Sequence, residues 1–545
     1  MGISIGLDLG TTYSVVCYKS DKFNFIKDET NNVLIPSVVC YNKDVFVGRD
    51  ALDLEEDFPD KTIRSSKRYI GTDKIIHQEN SLTAKDIATD ILKYLKKITE
   101  DFTKETVDGL VITVPAYFNQ NQRLETKQAA EDAGFSVLRI INEPTSAALA
   151  YGDDAQNNEL VLIYDLGGGT FDVTLLQMTG DNVYQVISTS GDTKLGGDDF
   201  DSVIIELFKD SLPENFKPFK DFDVRLKKFA EEIKIQLNYK NVVTKTLKYS
   251  GTIDQKIYHH KFEITLDKYL ECIDVLLKKT KSHVLNTLND GDKKISQLDK
   301  IILVGGSTKS KHVRNFVEAE FNTKVFYDID PDLTVAAGAA NLARSITQQN
   351  SDGALLIDVT PLSLGIETKG GLLNKIIPRN TNIPISSGQD FITAEDNQDR
   401  VNIRIYQGER PLAKDNEFLG EFELSGFEKR PKGQTKIFVK FDIDASGLIQ
   451  VSAFDKISGA QSNVTLKPLA SDRINNLLDD LEMNNSNDEQ ILIEQELDNL
   501  NKQVSLLILT KSLKGEDVSE LKEMHHAMKS NISALKTLIQ SLTDA

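Results

Sequence analysis

Residues 3–16 read ISIGLDLGTTYSVV, and this stretch decides the fold because a close copy of it returns later in the chain. The copy, at residues 160–175, reads LVLIYDLGGGTFDVTL. In both, an apolar run typical of a strand ends in an Asp-Leu-Gly turn, and alternating residues follow. This internal repeat predicts two similar half-domains that each begin with a β-hairpin. A third stretch, KIILVGGSTK at residues 300–309, shares the apolar run and the glycine turn.

The glycine turns indicate phosphate binding of an uncommon kind. A dinucleotide-binding fold places its glycine turn directly before a helix, and a Walker A loop requires GxxxxGK[ST], which the sequence lacks. Glycine lets backbone N–H groups approach phosphate oxygens, so the two Asp-Leu-Gly turns could hold a polyphosphate from two sides. Asp8 and Asp165 suit a hydrated Mg²⁺. Thr170 and Asp172 follow the second turn and suit the orientation of an attacking water.

Composition limits the domain number and the partners. The 545 residues predict three or four domains, and 40% hydrophobic with 27% charged residues is ordinary for a soluble protein. A net charge of −19 repels phosphate backbones and anionic lipids, so we expect neither nucleic acid nor membrane partners. The chain shows no apolar run of bilayer length and no basic start typical of a secretory signal, which predicts a cytoplasmic protein.

Cysteine and histidine spacing excludes the common metal motifs. Cys17, Cys40 and Cys272 are scattered, which predicts small apolar residues in strands or helices, without disulfides or zinc. The adjacent histidine pairs at 259–260 and 525–526 point in different directions on a strand or helix, and we expect both pairs at the surface.

Periodicity divides the chain into an α/β part, a β-rich part and a helical end. Helical spacing predicts helices over residues 82–102, 224–237 and 266–288. From residue 354 a short apolar run leads into many strand and turn signals, which favour a β-sandwich. After Pro468 the pattern predicts helices over residues 488–513 and 516–542, separated at Gly515.

With these motifs assembled, the chain resembles the DnaK-type heat-shock chaperones over about residues 3–468, and more loosely beyond. The segments that carry the resemblance are IGLDLGTTYS, VITVPAYFNQNQR, RIINEPTSAALAYG, DLGGGTFDVTLL, GDTKLGGDDFD, LVGGSTK, DVTPLSLGIETKGG and TAEDNQ. The resemblance implies a multidomain protein with an actin–hexokinase-like α/β ATPase domain, a β-sandwich peptide-binding domain and a C-terminal α-helical lid. The expected bounds are 1–347 for the ATPase domain, 348–358 for the linker, 359–468 for the sandwich and 469–545 for the lid.

The resemblance also assigns residues to ATP and Mg²⁺, and it allows K⁺. The implied catalytic residues are Lys67, Thr170, Asp172, Asp8, Asp165 and Glu143, with Asp8 and Asp165 holding Mg²⁺ through water. The implied ATP-binding residues are Gly10, Thr11, Thr12, Tyr13, Gly167, Gly168, Gly169, Gly196, Gly197, Glu231, Lys234, Asn238, Gly305, Gly306, Ser307, Lys309 and Asp332. Many relatives have arginine at position 309, and lysine stacks less well on a flat base, so we expect a different nucleotide affinity. Spacing alone would make Lys67 a surface lysine.

Two further sets complete the implied sites. The peptide-binding residues are Ile366, Thr368, Lys369, Phe391, Ala394, Val401 and Ile403, of which the four larger apolar ones are, as bare sequence, sandwich core. The residues that connect ATP to peptide are Pro115, Arg123, Arg139, Leu355, Leu356 and Asp358. Relatives commonly have methionine at position 369, and lysine there favours acidic or neutral peptides.

The implied function is ATP-driven capture and release of apolar client peptides with a J-domain cochaperone. Several segments, such as TIRSSKRYIG and VKFDIDASGLIQV, resemble the HscA-type chaperones that serve an iron–sulfur scaffold protein; a general DnaK or HscC role is the alternative. The need for a nucleotide-exchange factor stays open, and we expect mostly a monomer. Three other classes explain the sequence less completely. A sugar or acid kinase and an actin-like filament protein would leave the linker or the β-rich part unexplained. A large exchange-factor relative would leave unexplained why the ATPase motifs are intact.

Overall fold

The computed structural model describes most of the chain. It covers residues 2–77, 79–151, 158–179, 182–212, 222–250, 257–348, 354–465 and 518–543, together with residues 497, 500, 501, 503–505, 507, 508 and 511. We call residues 2–151 lobe I, residues 158–348 lobe II, residues 355–359 the linker strand and residues 360–465 the β-rich region.

Lobe I contains strands β1 (Ile3–Leu9), β2 (Tyr13–Lys19), β3 (Phe23–Phe25), β4 (Ile35–Pro36), β5 (Val39–Asn42), β6 (Asp44–Val47), β7 (Thr62–Ile63), β8 (Val107–Val114) and β9 (Val137–Asn142). Its helices are α1 (Arg49–Asp53), α2 (Ala84–Thr103), α3 (Gln120–Asp132) and α4 (Glu143–Ala150). Lobe II contains strands β10 (Glu159–Leu166), β11 (Phe171–Thr179), β12 (Val183–Asp192), β13 (Val242–Ser250), β14 (Ile257–Thr265), β15 (Lys300–Val304) and β16 (Val325–Phe326). Its helices are α5 (Gly197–Asp210), α6 (Phe222–Leu237), α7 (Leu266–Asp290), α8 (Lys311–Phe321) and α9 (Thr334–Gln348).

The linker strand is β17 (Leu355–Val359). The β-rich region contains β18 (Leu364–Thr368), β19 (Leu372–Ile377), β20 (Asn382–Ile383), β21 (Ile385–Ile392), β22 (Arg400–Gln407), β23 (Glu417–Ser425), β24 (Lys436–Ile443), β25 (Ile449–Asp455) and β26 (Gln461–Thr465). Two helices follow near the end of the chain, α10 (Ser519–Met528) and α11 (Ile532–Thr543). The helices predicted over residues 82–102, 224–237 and 266–288 are confirmed as α2, α6 and α7. Thr83 begins α2 with a capping box, because its side chain accepts from the Asp86 N–H while Asp86 binds back to Thr83.

Both predicted hairpins are confirmed, and each places its aspartate at the end of its first strand. In lobe I, β1 pairs antiparallel with β2 and brings Asp8 opposite Val15. In lobe II, β10 pairs antiparallel with β11 and brings Asp165 opposite Asp172. Parallel strands flank the hairpins, β8 beside β1 and β15 beside β10. Because parallel neighbours end at the same edge, the glycine turn after β15 lies next to the one after β10.

Helix α9 joins the lobes through close packing on α4 and β1. The approach requires glycine at position 338, because a Cβ there would lie 1.7 Å from the Ser146 carbonyl oxygen. The Ser146 hydroxyl also donates a hydrogen bond to the Val335 carbonyl at 2.7 Å. Helix α9 of lobe II therefore packs directly on lobe I, and residues of both lobes, including the glycine turns, enclose a cavity.

The linker strand bonds to a different part of the chain on each edge. On one side it runs parallel to β12, with Leu356 opposite Tyr184. On the other side it pairs antiparallel with β20, with Asp358 opposite Ile383. One sheet thereby continues from lobe II into the β-rich region.

The β-rich region consists of two four-stranded sheets that share one apolar core. The strand orders are β19-β18-β22-β23 and β21-β24-β25-β26. Buried side chains alternate along the inner strands, as in β24, where Ile437, Val439, Phe441 and Ile443 face the core. Most strands pair with sequence neighbours, which matches the regular turn signals in the sequence.

Two expectations about the C-terminal part are wrong. The pattern over residues 516–542 forms two helices rather than one, since α10 ends at Met528 and Asn531 caps α11 by accepting from the Ala534 N–H at 3.0 Å. His525 is buried at 8% exposure, with Nε2 2.8 Å from Asn501 Oδ1, whereas its neighbour His526 is exposed. The helix predicted over residues 488–513 falls largely outside the described residues.

The three cysteines are free, as predicted, with Cys17 and Cys40 buried and Cys272 half-buried. Of the other histidine pair, His259 is exposed and His260 is half-buried against Phe208. Within the described part of the chain, no helix is both long and apolar enough to cross a membrane.

Candidate functional site

A cavity of about 460 Å³ lies between the lobes, and most of the predicted nucleotide residues line it. The lining includes Asp8, Gly10, Thr11, Thr12, Tyr13, Lys67, Glu143, Asp165, Gly167, Gly168, Thr170, Gly197, Glu231, Lys234, Asn238, Gly305, Gly306, Ser307, Lys309 and Asp332. Three predicted residues lie behind this wall. Gly169 and Gly196 contact each other closely, and Asp172 is buried at 1% exposure.

One end of the cavity concentrates carboxylates around a single buried lysine. Lys67 Nζ lies 2.6 Å from Glu143 Oε1, and both side chains are buried. Burial, followed by the charge of Glu143, raises the pKa of Asp8 to about 7 and the pKa of Asp172 to about 8. The same causes, with Asp172 and Asp8 adding repulsion, raise the pKa of Asp165 well above its usual range.

Burial and mutual repulsion disfavour the ionised form of these three carboxyls, and the charge of Lys67 offsets this only in part. A bound divalent cation would supply the missing positive charge, and oxygen donors are the ligands that Mg²⁺ prefers. Asp8 and Asp165 line the cavity and therefore fit a hydrated Mg²⁺. No group of three or more potential metal ligands is arranged for direct binding in the described ranges.

The glycine turns bring the two lobes into contact. A Cβ at Gly168 would lie 2.2 Å from the Thr12 Oγ1 atom of the other hairpin, so the close approach requires glycine. Gly305 adopts φ +83°, and a Cβ there would lie 2.4 Å from the Leu166 carbonyl oxygen. Ser307 Oγ donates to the Gly167 carbonyl at 2.8 Å and fixes the third turn against the second. The result is a backbone cradle of the kind that accommodates phosphate oxygens.

The opposite end of the cavity is built from α6 and the turn before α8. Lys234 Nζ forms an ion pair with Asp201 Oδ1 at 2.9 Å and donates to the Gly197 carbonyl. Asn238 Oδ1, just after α6, accepts from Ser310 Oγ at 3.0 Å and ties the two elements together. Lys309 Nζ lies 2.8 Å from Asp330 Oδ1 and 2.5 Å from Asp332 Oδ2. The amino group of Lys309 is therefore held by carboxylates.

Sequence reasoning missed the apolar lining at this end. Ile235 on α6 and Tyr239 in the turn after it both line the cavity, and their side chains are 51% and 83% exposed. Ile273 and Val313 add buried apolar surface to the same cavity. The available signal in the sequence is that each of these two residues directly follows a polar residue assigned to the site, Lys234 or Asn238.

Buried polar side chains connect the cavity to the linker strand. Asp172 accepts from the Tyr117 N–H at 3.3 Å, in the loop that begins with Pro115. Arg123 Nη2 donates to the Ala116 carbonyl at 3.1 Å and to Asn142 Oδ1 at 2.6 Å. Asn142 Nδ2 donates in turn to Asp358 Oδ2 at 3.0 Å.

A second acceptor contact and a buried leucine fix the linker strand further. Thr145 Oγ1 donates to Asp358 Oδ2 at 3.3 Å. Leu356 is buried against lobe II, whereas Leu355 is 55% exposed. Asn142 and Thr145 were not selected from the sequence, although both flank Glu143 in the segment INEPT.

Lobe I and lobe II also contact loops of the β-rich region directly. Arg139 donates through Nε and Nη2 to the Ala445 carbonyl at 3.3 and 3.2 Å. Arg379 Nη2 lies 2.6 Å from Asp290 Oδ1, and the Asn380 side chain accepts from the Thr189 N–H. The pair of Arg379 and Asp290 was also missed, because no spacing rule joins residues so distant in sequence.

The predicted peptide-binding residues lie at one end of the β-rich region. Ile366 and Ile403 are buried in the shared core, and Phe391 and Val401 are half-buried against it. Three others lie at or beside the strand ends: Thr368, Lys369 and Ala394. Lys369 and Ala394 are exposed, and Lys369 belongs to the turn closed by a hydrogen bond from the Gly371 N–H to the Thr368 carbonyl.

Two comparisons with known proteins find similar sequences over nearly the whole chain. The family model described as Hsp70 protein matches residues 4–80 and 74–545. A curated relative named chaperone protein dnaK, from Emiliania huxleyi, is 39% identical over 559 aligned positions, which cover 96% of this chain and 88% of that protein. The match thus includes both lobes, the linker strand and the β-rich region.

Proposed function

Because the chain belongs to the Hsp70 family, it is an ATPase that drives a chaperone cycle, and we propose that the linker strand couples ATP in its interlobe cavity to peptide in its β-rich region. The observation that carries the proposal is the pairing of the linker strand with β12 on one edge and β20 on the other. A strand shared in this way changes both partners when it moves.

The family binds ATP with Mg²⁺, and we assign the phosphates to the carboxylate end of the cavity. The glycine turns offer backbone N–H groups to phosphate oxygens, and Asp8 and Asp165 would hold Mg²⁺ through its waters. Bound Mg²⁺ would neutralise charge on the phosphates. Lys67 would add a positive charge near the terminal phosphate, since Glu143 fixes its amino group at 2.6 Å. Thr170 lines the cavity where an attacking water would lie.

Asp172 would couple the occupancy of the phosphate end of the cavity to the position of the linker strand. Its carboxylate binds the loop after Pro115, and Arg123 binds the same loop and Asn142, which reaches Asp358. A change in charge at the terminal phosphate would thereby alter the hydrogen bonds that hold Asp358. This supports a role for Pro115, Arg123, Arg139 and Asp358 in coupling.

Family members bind unfolded client peptides and J-domain cochaperones, and we assign peptide to the end of the β-rich region near Ile366 and Phe391. An extended peptide would bind by backbone hydrogen bonds, and an apolar side chain would enter between the half-buried residues Phe391 and Val401. We propose bounds of 1–347, 348–358, 359–468 and 469–545 for the ATPase domain, linker, peptide-binding domain and lid.

The coupling is tested by steady-state ATP hydrolysis with and without a short apolar peptide. We expect slow hydrolysis that the peptide accelerates in the wild type. Replacing Val401 with aspartate should abolish the acceleration while basal hydrolysis continues, and Val45→Asp, at an exposed position of lobe I, is the matched control. Acceleration that survives Val401→Asp would contradict the proposed peptide site.

A narrower role in iron–sulfur cluster assembly is a further proposal, which rests on the HscA-like segments. A general DnaK-type or HscC-type role fits the same geometry. The hydrolysis assay separates them when a peptide from an iron–sulfur scaffold protein is compared with an unrelated apolar peptide at equal concentration. Preference for the scaffold peptide supports specialisation, and equal stimulation supports the general role. A cytoplasmic location and a mostly monomeric state are part of the proposed function, which also allows K⁺ binding and leaves the need for an exchange factor open.

A further inference from the structure

Tyr239 is the most exposed large apolar side chain among the described residues, and it lies on the wall of the nucleotide cavity. Its exposure is 83%, against 51% for Ile235, which lies four residues earlier on α6. Both side chains line the cavity. An aromatic ring left in water at the mouth of a cavity gains free energy when a flat apolar surface covers it.

The cavity has two chemically different ends, and Tyr239 belongs to the apolar one. The glycine turns, Lys67 and the carboxylates occupy the polar end, which suits phosphates and a cation. The other end has Ile235, Ile273 and Val313 on its walls. A nucleotide with its phosphates in the cradle would extend its base toward these apolar side chains.

Lys309, in the turn before α8, also lines the cavity. Its amino group is held by Asp330 and Asp332 at 2.8 and 2.5 Å. An amino group with two carboxylate partners has a smaller gain from contact with a ring face. The hydrogen bond between Asn238 and Ser310 ties the turn after α6 to the turn before α8, and Tyr239, which also lines the cavity, directly follows Asn238.

We propose that Tyr239 stacks on the base of the bound nucleotide and selects a nucleoside phosphate over a bare polyphosphate. This inference rests on the proposed assignment of ATP to the interlobe cavity. Stacking of a base on an aromatic side chain is sequence-tolerant because every base has a π-face. Tyr239 would therefore set affinity by ring contact rather than by a hydrogen bond from its hydroxyl.

The first test is calorimetric titration of the full-length protein with ADP and with tripolyphosphate, each with Mg²⁺. We expect Tyr239→Ala to weaken ADP binding on the order of tenfold and to leave tripolyphosphate unchanged. Tyr239→Phe should bind ADP as the wild type does, since the ring remains. Phe102→Ala, which removes a 51% exposed aromatic side chain outside the cavity, is the matched control and should change neither ligand.

The second test uses the absence of tryptophan from the sequence. Tyr239→Trp introduces a single tryptophan, whose emission should be quenched by ADP and not by tripolyphosphate. Equal ADP affinity in Tyr239→Ala and the wild type, or equal losses for both ligands, would overturn the inference and leave the proposed function intact. Failure of the wild type to bind ADP at all would overturn the proposed function itself.

Discussion

Replacing Asp358 with alanine should uncouple peptide binding from ATP hydrolysis. Asp358 is 5% exposed and accepts hydrogen bonds from Asn142 at 3.0 Å and Thr145 at 3.3 Å. The substitution leaves the Asn142 and Thr145 donors buried without this acceptor. It also removes the negative charge that favours the buried guanidinium of Arg123.

The docking free energy that Asp358→Ala should lose follows from two opposing contributions. Two hydrogen bonds to a charged acceptor contribute about 3–6 kcal/mol together. Burial raises the pKa of Asp358, which means that its hydrogen bonds do not fully offset the loss of hydration. We therefore expect a net loss below this range, about 2 kcal/mol of docking free energy, or roughly a 30-fold shift away from the docked linker.

Two assays measure this shift. Hydrogen exchange with ATP bound should show residues 355–359 roughly 30-fold less protected in Asp358→Ala than in the wild type. Steady-state hydrolysis should lose its stimulation by peptide. Asp358→Asn, which keeps one acceptor oxygen without the charge, should give an intermediate result. Asp132→Ala is the matched control, because Asp132 is an exposed aspartate of lobe I that pairs with Lys85 at 3.1 Å. Unchanged protection and full stimulation in Asp358→Ala would refute this account of the coupling.

Three further outcomes follow from the same structure. Lys67→Ala should lower single-turnover ATP hydrolysis by at least about tenfold, because it removes the buried cation beside Glu143; a rate equal to that of the wild type would contradict the assignment. Removal of Mg²⁺ with EDTA should weaken ADP binding in calorimetry, because the uncompensated carboxylates then repel the phosphates, and tighter binding would refute this reasoning. Burial lowers the pKa of His525 below its usual 6.5, so protonation of the unfolded state should destabilise the C-terminal helices as pH falls below about 6.5. Hydrogen exchange of residues 519–543 between pH 7.5 and 5.5 should show this loss in the wild type and a smaller one in His525→Gln.

The features that depend on local pattern could be predicted from the sequence. The repeat of Asp-Leu-Gly at residues 8–10 and 165–167 predicted both hairpins, since a turn and its flanking alternation are local properties. The position of Lys67 could not be predicted in this way. Spacing favoured a surface lysine, but the structure buries it against Glu143, 76 residues later, because the ends of two distant elements meet at the cavity.

The two wrong predictions at the C-terminal end concern residues with local signals in the sequence. The helical periodicity of residues 516–542 outweighed those signals. Asn531 is a favoured N-cap residue, and it interrupts a helical pattern that otherwise continues from 516 to 542. Adjacent histidines on a helix face different directions, so a helix with one apolar face is expected to bury one of them and expose the other. The structure shows this result for His525 and His526.

The linker strand has the properties that a switch requires. Its register includes three residue pairs with β12 and two with β20, so few backbone hydrogen bonds hold it on either edge. At about 1 kcal/mol for each bond, together with the contacts of Asp358, docking amounts to several kcal/mol. A ligand must favour one state by about 5.5 kcal/mol to move an equilibrium from 1:99 to 99:1. The two quantities are of the same order, so differential binding of one nucleotide state is sufficient to dock or release the strand. A longer strand would stay docked whichever nucleotide is bound. A strand without Asp358 would lack the buried hydrogen bonds to Asn142 and Thr145 that connect the strand to the nucleotide cavity.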